Sequence, residues 1–118
     1  NGLYTAIQHT EHDWIQLVSC DLPLIDADVF QILWNTKTQE SNVVIPLNNN
    51  QLQVTCALYH RRILNYIESA IDNNDLSLLS LIKNLKITKV NFNSDKRFWN
   101  MNTKRNLVEI SNYLANKL

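Results

Sequence analysis

The sequence predicts an α/β domain built in layers, and three observations carry that expectation. Short apolar runs of strand length alternate with segments whose apolar residues recur every three to four positions. Asn- and Asp-rich turns separate these segments, with no linker, repeat or low-complexity stretch between them. The chain has 118 residues, 45% of them hydrophobic, enough for one domain with its own core.

The elements follow in order. Residues 3–8 read as a short helix with Leu3, Ala6 and Ile7 on one face. Residues 14–19 form the first clear strand, an apolar run expected to be buried. Asp26 is a good N-cap for a helix carrying Val29, Phe30, Ile32 and Leu33. Residues 42–47 make a strand whose end Pro46 places near an edge or a bulge. Asn48-Asn49-Asn50 is a turn, and residues 52–59 form the next strand, giving a hairpin. Ile63, Leu64, Tyr66, Ile67, Ala70 and Ile71 have a 3.6-residue period, hence an amphipathic helix. Asp75 can cap a shorter helix carrying Leu78, Leu79, Leu81, Ile82 and Leu85. Residues 87–92 are a strand. Thr103 is the expected N-cap of a last helix with Leu107, Ile110, Leu114 and Leu118 on its buried stripe.

Composition narrows the function. Eleven basic residues balance eleven acidic ones, so there is no basic footprint for a nucleic acid. No apolar run reaches the length of a membrane span, and no signal-peptide pattern opens the sequence. Cys20 and Cys56 both sit in apolar runs, which predicts buried, reduced thiols in a reducing compartment, the cytoplasm. Gly2 is the only glycine, so no Gly-rich phosphate loop can be built from these residues.

The chemistry concentrates in two places. Trp14-Ile-Gln-Leu-Val-Ser-Cys-Asp21-Leu-Pro23 is an apolar strand that stops at a carboxylate. Ligands of open α/β sheets lie beyond the carboxyl ends of strands. An Asp there suits a hard cation such as Mg²⁺, although Asp is also a common turn former. Downstream, Phe98-Trp99-Asn100-Met101-Asn102-Thr103 leads into the last helix. Its asparagines can bind a polar ligand or satisfy the turn's own backbone. His9 and His12 are spaced for a helical zinc pair, but a tetrahedral site needs more ligands than lie nearby. Cys20 beside Asp21 is a poor nucleophile, because a neighbouring carboxylate disfavours the thiolate. His60-Arg61-Arg62 opens a helix and reads as a solvated basic face rather than a phosphate site. Trp14, Trp34 and Trp99 read as core or cleft-wall residues.

These segments together resemble the molybdenum cofactor guanylyltransferase family. The resemblance rests on a Gly-Leu helix start, Cys20-Asp21-Leu22-Pro23, Ala57-Leu58-Tyr59-His60-Arg61, and the Phe-x-Asn-x-Asn-Thr entry at Phe98–Thr103, in that order. It covers residues 1–118 as one partial domain, the later part of the family's domain. It implies a Rossmann-like, three-layer nucleotidyltransferase fold, truncated at its N-terminal side, that transfers GMP from GTP to molybdopterin and releases pyrophosphate. By resemblance, Asp21 holds Mg²⁺ and contacts the GTP phosphates, and Asn100 and Asn102 face molybdopterin. Proteins of molybdenum cofactor delivery are the implied partners. The family's Leu-Ala-Gly-Gly loop and following Lys are not among these residues, so this chain alone is expected to be inactive. The chain also departs from the family pattern. Lys104, Arg105 and Asn106 stand where Pro and two acids are usual, and basic residues are missing near Asn74-Asp75-Leu76-Ser77. Val54 stands where a proline is common. Two other readings stay open: a non-catalytic pterin- or partner-binding fragment, and a related nucleotidyltransferase with another base or acceptor.

Overall fold

The structure, a computed structural model, describes residues 2–75, 77–100 and 104–117. Helix α1 (Gly2–His9) leads to strand β1 (Trp14–Val18), helix α2 (Ala27–Thr36) and strand β2 (Val43–Asn48). A hairpin joins β2 to β3 (Gln51–Leu52), followed by β4 (Cys56–His60). A 3₁₀ turn (Arg61–Ile63) opens α3 (Leu64–Asp72), then come α4 (Leu78–Ile82) and β5 (Ile87–Asn91). A second 3₁₀ turn (Lys96–Phe98) precedes α5 (Lys104–Lys117).

The sheet is mixed. β1 pairs antiparallel with β4 in the register Trp14↔His60 to Val18↔Cys56. β4 and β3 both pair antiparallel with β2, at Val43–Val44 and at Leu47–Asn48. β5 runs parallel to β2 along its other side. β1, β2 and β5 therefore point the same way.

Period-two alternation on the central strands builds the core on both faces. Val43, Ile45, Ala57 and Tyr59 meet Leu3 and Ile7 of α1, Ile67 of α3, and Leu81 and Ile82 of α4. Val44, Cys56 and Leu58 meet Val29, Phe30 and Leu33 of α2, together with Leu22 and Phe98. The result is helix, sheet and helix in three layers, as expected. Each fully buried aliphatic side chain contributes roughly 1.5–3 kcal/mol of transfer free energy.

Several sequence expectations need correction. β1 is not a buried strand. It pairs with β4 alone among the described residues, its residues are half-buried or exposed, and Val18 is 47% exposed. Pro46 sits not at an edge but in the middle of the central strand, fully buried. It is tolerated because it falls in the gap between the β4 and β3 pairings, where no ladder bond needs its missing N–H. The expected strand over 52–59 is broken: residues 53–55 bulge out, and the Tyr59 hydroxyl donates to the Val54 carbonyl across the bulge. Ser77, not Asp75, caps α4, its Oγ accepting from Ser80 N–H. Leu114 is 45% exposed, whereas Ile110 on the same expected stripe is buried. Cys20 is exposed, because the strand ends at Val18 and the chain turns; Cys56 is buried as expected, and both thiols are free. Of the two places open to Trp34, core or cleft wall, the core is excluded: it is 47% exposed on α2 and lines a surface hollow. Thr103 and Leu118 lie outside the described residues, as does the side chain of Leu107.

Candidate functional site

Because β1, β2 and β5 are co-directional, their carboxyl ends share one rim of the sheet. In such sheets this is the rim that binds ligands. The chain beyond β1 turns tightly: Leu22 N–H donates to the Ser19 carbonyl, and Asp21 N–H to the Ser19 hydroxyl at 3.2 Å. Leu22 anchors this turn in the core while Asp21 stays exposed. Among the described residues, the Asp21 carboxylate accepts only a long contact from the Cys20 thiol, at 3.9 Å. It is thus held on a short turn and free to take a ligand.

The rim's other wall comes from the loop after β5. Asn48, buried at the end of β2, accepts from Asp95 N–H at 2.8 Å through its side-chain oxygen. Asn49 accepts from the Ser94 hydroxyl. These bonds lash the β2–β3 hairpin to that loop. Leu22, one residue after Asp21, and Phe98, two residues before Asn100, belong to one buried cluster. Asn100 is exposed, next to Trp99, which packs on Tyr113 of α5 with centroids 5.7 Å apart. Asn102 lies outside the described residues.

Sequence reasoning missed the most heavily bonded side chain of this rim, Arg97. Its guanidinium donates to both oxygens of Asp95, at 2.8 Å through Nη2, and reaches Asp26 at 3.1 Å and Asp28 at 3.0 Å. The hydrogen bonds that Arg97 donates to Asp95, more than any other cause, hold its proton more firmly than usual, with Asp28 and Asp26 adding to it. Asp26 meanwhile caps α2, accepting from Val29 N–H. Only the adjacency of Asp95 and Arg97 was visible as a signal, and it says nothing of Asp26 or Asp28. His9 and His12 are exposed, and no group of three candidate metal ligands occurs among the described residues.

The model of the MobA-like NTP transferase domain family matches residues 1–89. The chain belongs to this family. Among its relatives, the molybdenum cofactor guanylyltransferase of Photobacterium profundum is 27% identical over 96% of this chain and 59% of its own length. The probable molybdenum cofactor guanylyltransferase of Clostridium perfringens is 30% identical over 87% of this chain and 56% of its own. This MobA-like chain thus spans a little over half the length of these curated relatives. Its fold matches the crystal structure of molybdopterin-guanine dinucleotide biosynthesis protein A from Archaeoglobus fulgidus, with a TM-score of 0.79 and 19% identity, covering 99% of this chain and 62% of that one. A crystal structure of an Aquifex aeolicus protein matches with a TM-score of 0.76 and 25% identity, covering 87% of this chain and 55% of that one. The MobA-like chain has no helix, among its described residues, long and apolar enough to cross a membrane.

Proposed function

We propose that the protein carrying this chain is a cytoplasmic molybdenum cofactor guanylyltransferase, and that this chain supplies its metal-side aspartate and its molybdopterin-facing wall. The observation that carries this reading is the placement of an otherwise unengaged Asp21 at the strand-end rim of a MobA-like fold. In the reaction, a terminal phosphate oxygen of molybdopterin attacks the α-phosphorus of GTP. The bond from that phosphorus to the bridging oxygen breaks, and pyrophosphate leaves with the electron pair.

Asp21 would hold Mg²⁺. A single carboxylate fits that ion, which keeps several waters and takes substrate phosphates as further ligands. When bound, the ion neutralises the phosphates that the reaction brings together. Asp21 itself fixes where the triphosphate sits along the rim. Asn100 and Asn102 would offer both donors and acceptors to the pterin or its phosphate. Trp99, braced on Tyr113, walls that side of the cleft. Proteins that deliver or receive the cofactor are the expected partners.

The test incubates the protein carrying this chain with GTP, Mg²⁺ and molybdopterin and follows pyrophosphate. Release is expected, with a loss of about 10²-fold or more in Asp21→Ala, comparable to removing one electrostatic stabiliser from an active site. Release that survives Asp21→Ala unchanged overturns the metal assignment. No molybdopterin-dependent release at all overturns the guanylyltransferase reading.

A further inference from the structure

The end of the sheet opposite Asp21 carries a second concentration of chemistry. Trp14 opens β1 and His60 closes β4, and the two are paired in register. At strand rise, the length of β1 puts them about 17 Å from the Asp21 turn. Two adjoining hollows, of about 300 and 480 Å³, share Trp14 and Lys37 as walls. Thr38, Gln39, His60 and Arg62 complete the first, and His12, Asp13 and Trp34 the second.

The polar groups lining the first hollow are mostly hydrogen-bond donors. Lys37 has its ammonium 4.0 Å above the Trp34 ring and, among the described residues, no carboxylate partner. Arg62 spends one N–H on the Gln39 carbonyl at 3.0 Å, leaving most of its five donors free. His60 Nδ1 accepts from Arg62 N–H at 3.0 Å, so the neutral ring carries its proton on Nε2 and donates from there. The nearby carboxylates are engaged: Asp13 with Arg61 at 3.3 Å and Glu40 with Lys86 at 3.9 Å. The carboxyl end of α2 adds partial negative charge, which Lys37, as its C-cap residue, offsets. This surplus of donors over acceptors selects an acceptor-rich anion. Trp34, nearly half exposed, and Trp14, edge-on to His60 at 4.9 Å, offer aromatic surface beside it.

We infer that this groove binds a phosphomonoester of a planar ring, of the nucleoside monophosphate class. Lys37, Arg62 and His60 hold the phosphate, and Trp34 takes the ring. Lys37 leaves the Trp34 face to reach the phosphate, which frees that face for stacking. Burial lowers the His60 pKa, Arg62 and Arg61 push it further down, and Asp13 pulls it up. A bound anion opposes the arginines and draws the titration upward.

The experiment titrates the protein carrying this chain with AMP in EDTA and follows the His60 ring and Trp34 indole signals by NMR. Adenosine and inorganic phosphate are the separate arms. AMP is expected to shift both signals and raise the His60 titration midpoint. Each arm alone should bind at least about tenfold more weakly. Lys37→Gln and Arg62→Gln should each weaken AMP by a similar factor, while the spectrum elsewhere stays folded. Inorganic phosphate binding as well as AMP would remove the ring from the proposal. No shift at about 100 times a millimolar dissociation constant, or shifts unchanged in both variants, would overturn it. The amides of Cys20 and Asp21 report the other rim separately, so failure here leaves the guanylyltransferase reading standing.

Discussion

Arg97 and Asp28 are 69 residues apart in sequence and 3.0 Å apart in space. With Asp26 and Asp95, this contact pins the loop after β5 to the start of α2, across the rim that carries Asp21. Arg97→Ala is expected to cost about 1–3 kcal/mol, the range for charge-assisted bonds at a part-buried group. Most of that comes from Asp95, since Asp26 and Asp28 are more than half exposed and screened. Arg97→Lys should recover only part of it, because an ammonium lacks the planar fork. Urea unfolding measures this directly. A loss within error of zero for Arg97→Ala would show that the loop holds without its guanidinium.

Asp21 should behave in the opposite way. It is exposed and bonds no core group, so Asp21→Asn is expected to change stability by less than about 0.5 kcal/mol. The same change should abolish selective Mn²⁺ broadening of the Cys20 and Leu22 amides, with Mn²⁺ as a paramagnetic stand-in for Mg²⁺. A large fall in melting temperature would instead make Asp21 a structural turn residue. This chain alone, with Gly2 as its single glycine, is expected to show no guanylyl transfer. Turnover by these residues alone would mean that the phosphates are held without a Gly-rich cradle.

The sequence made the layers legible because periodicity is a local signal. The Val29-Phe30-Leu33 spacing and the Val43–Ile45 run both lie where they read. Register and neighbours are not local. Nothing near Trp14 shows whether a strand stands on both its sides, so β1 read as buried. Nothing near Pro46 shows that its two antiparallel partners leave a gap beside it. In the candidate site, Asp21 stood out because a strand ended on it. Arg97 did not, because two of its three carboxylates come from the start of α2.

The β2–β3 hairpin offers a backbone test. Asn49 and Asn50 have φ of 52° and 62°, both positive, as a two-residue type I′ turn requires. Asn49 is also tied to Ser94, so only Asn50 is free to change. Asn50→Gly is expected to be neutral or stabilising by up to about 1 kcal/mol, Gly being the preferred second residue of this turn. Asn50→Val should cost about 1–2 kcal/mol, the penalty of a branched residue in the left-handed region. Thermal unfolding of the two variants checks the sign. Equal stabilities would mean that the turn relaxes to another type.

The two thiols should separate by reactivity and leave a mark on alkaline stability. Cys20 is exposed, whereas burial pushes the Cys56 thiol up to about 12 from its ordinary 9.0. Burial also raises the Tyr59 phenol, with the nearby Cys56 adding to it. Iodoacetamide at pH 8 is expected to label Cys20 alone in the folded chain and both thiols in urea. Both buried groups favour the protonated form in the folded state, so above pH 9 the unfolded chain releases protons that the folded chain keeps. The stability they confer is complete below the unfolded value and is lost as pH climbs toward the folded one. Unfolding free energy should therefore be flat in Cys56 up to about pH 9 and then fall by up to about 1.4 kcal/mol per pH unit per group. Cys56→Ala should remove the first part of that fall and leave the later Tyr59 part. An alkaline slope in Cys56→Ala that begins at the same pH and is equally steep would show that the thiol contributes nothing to it.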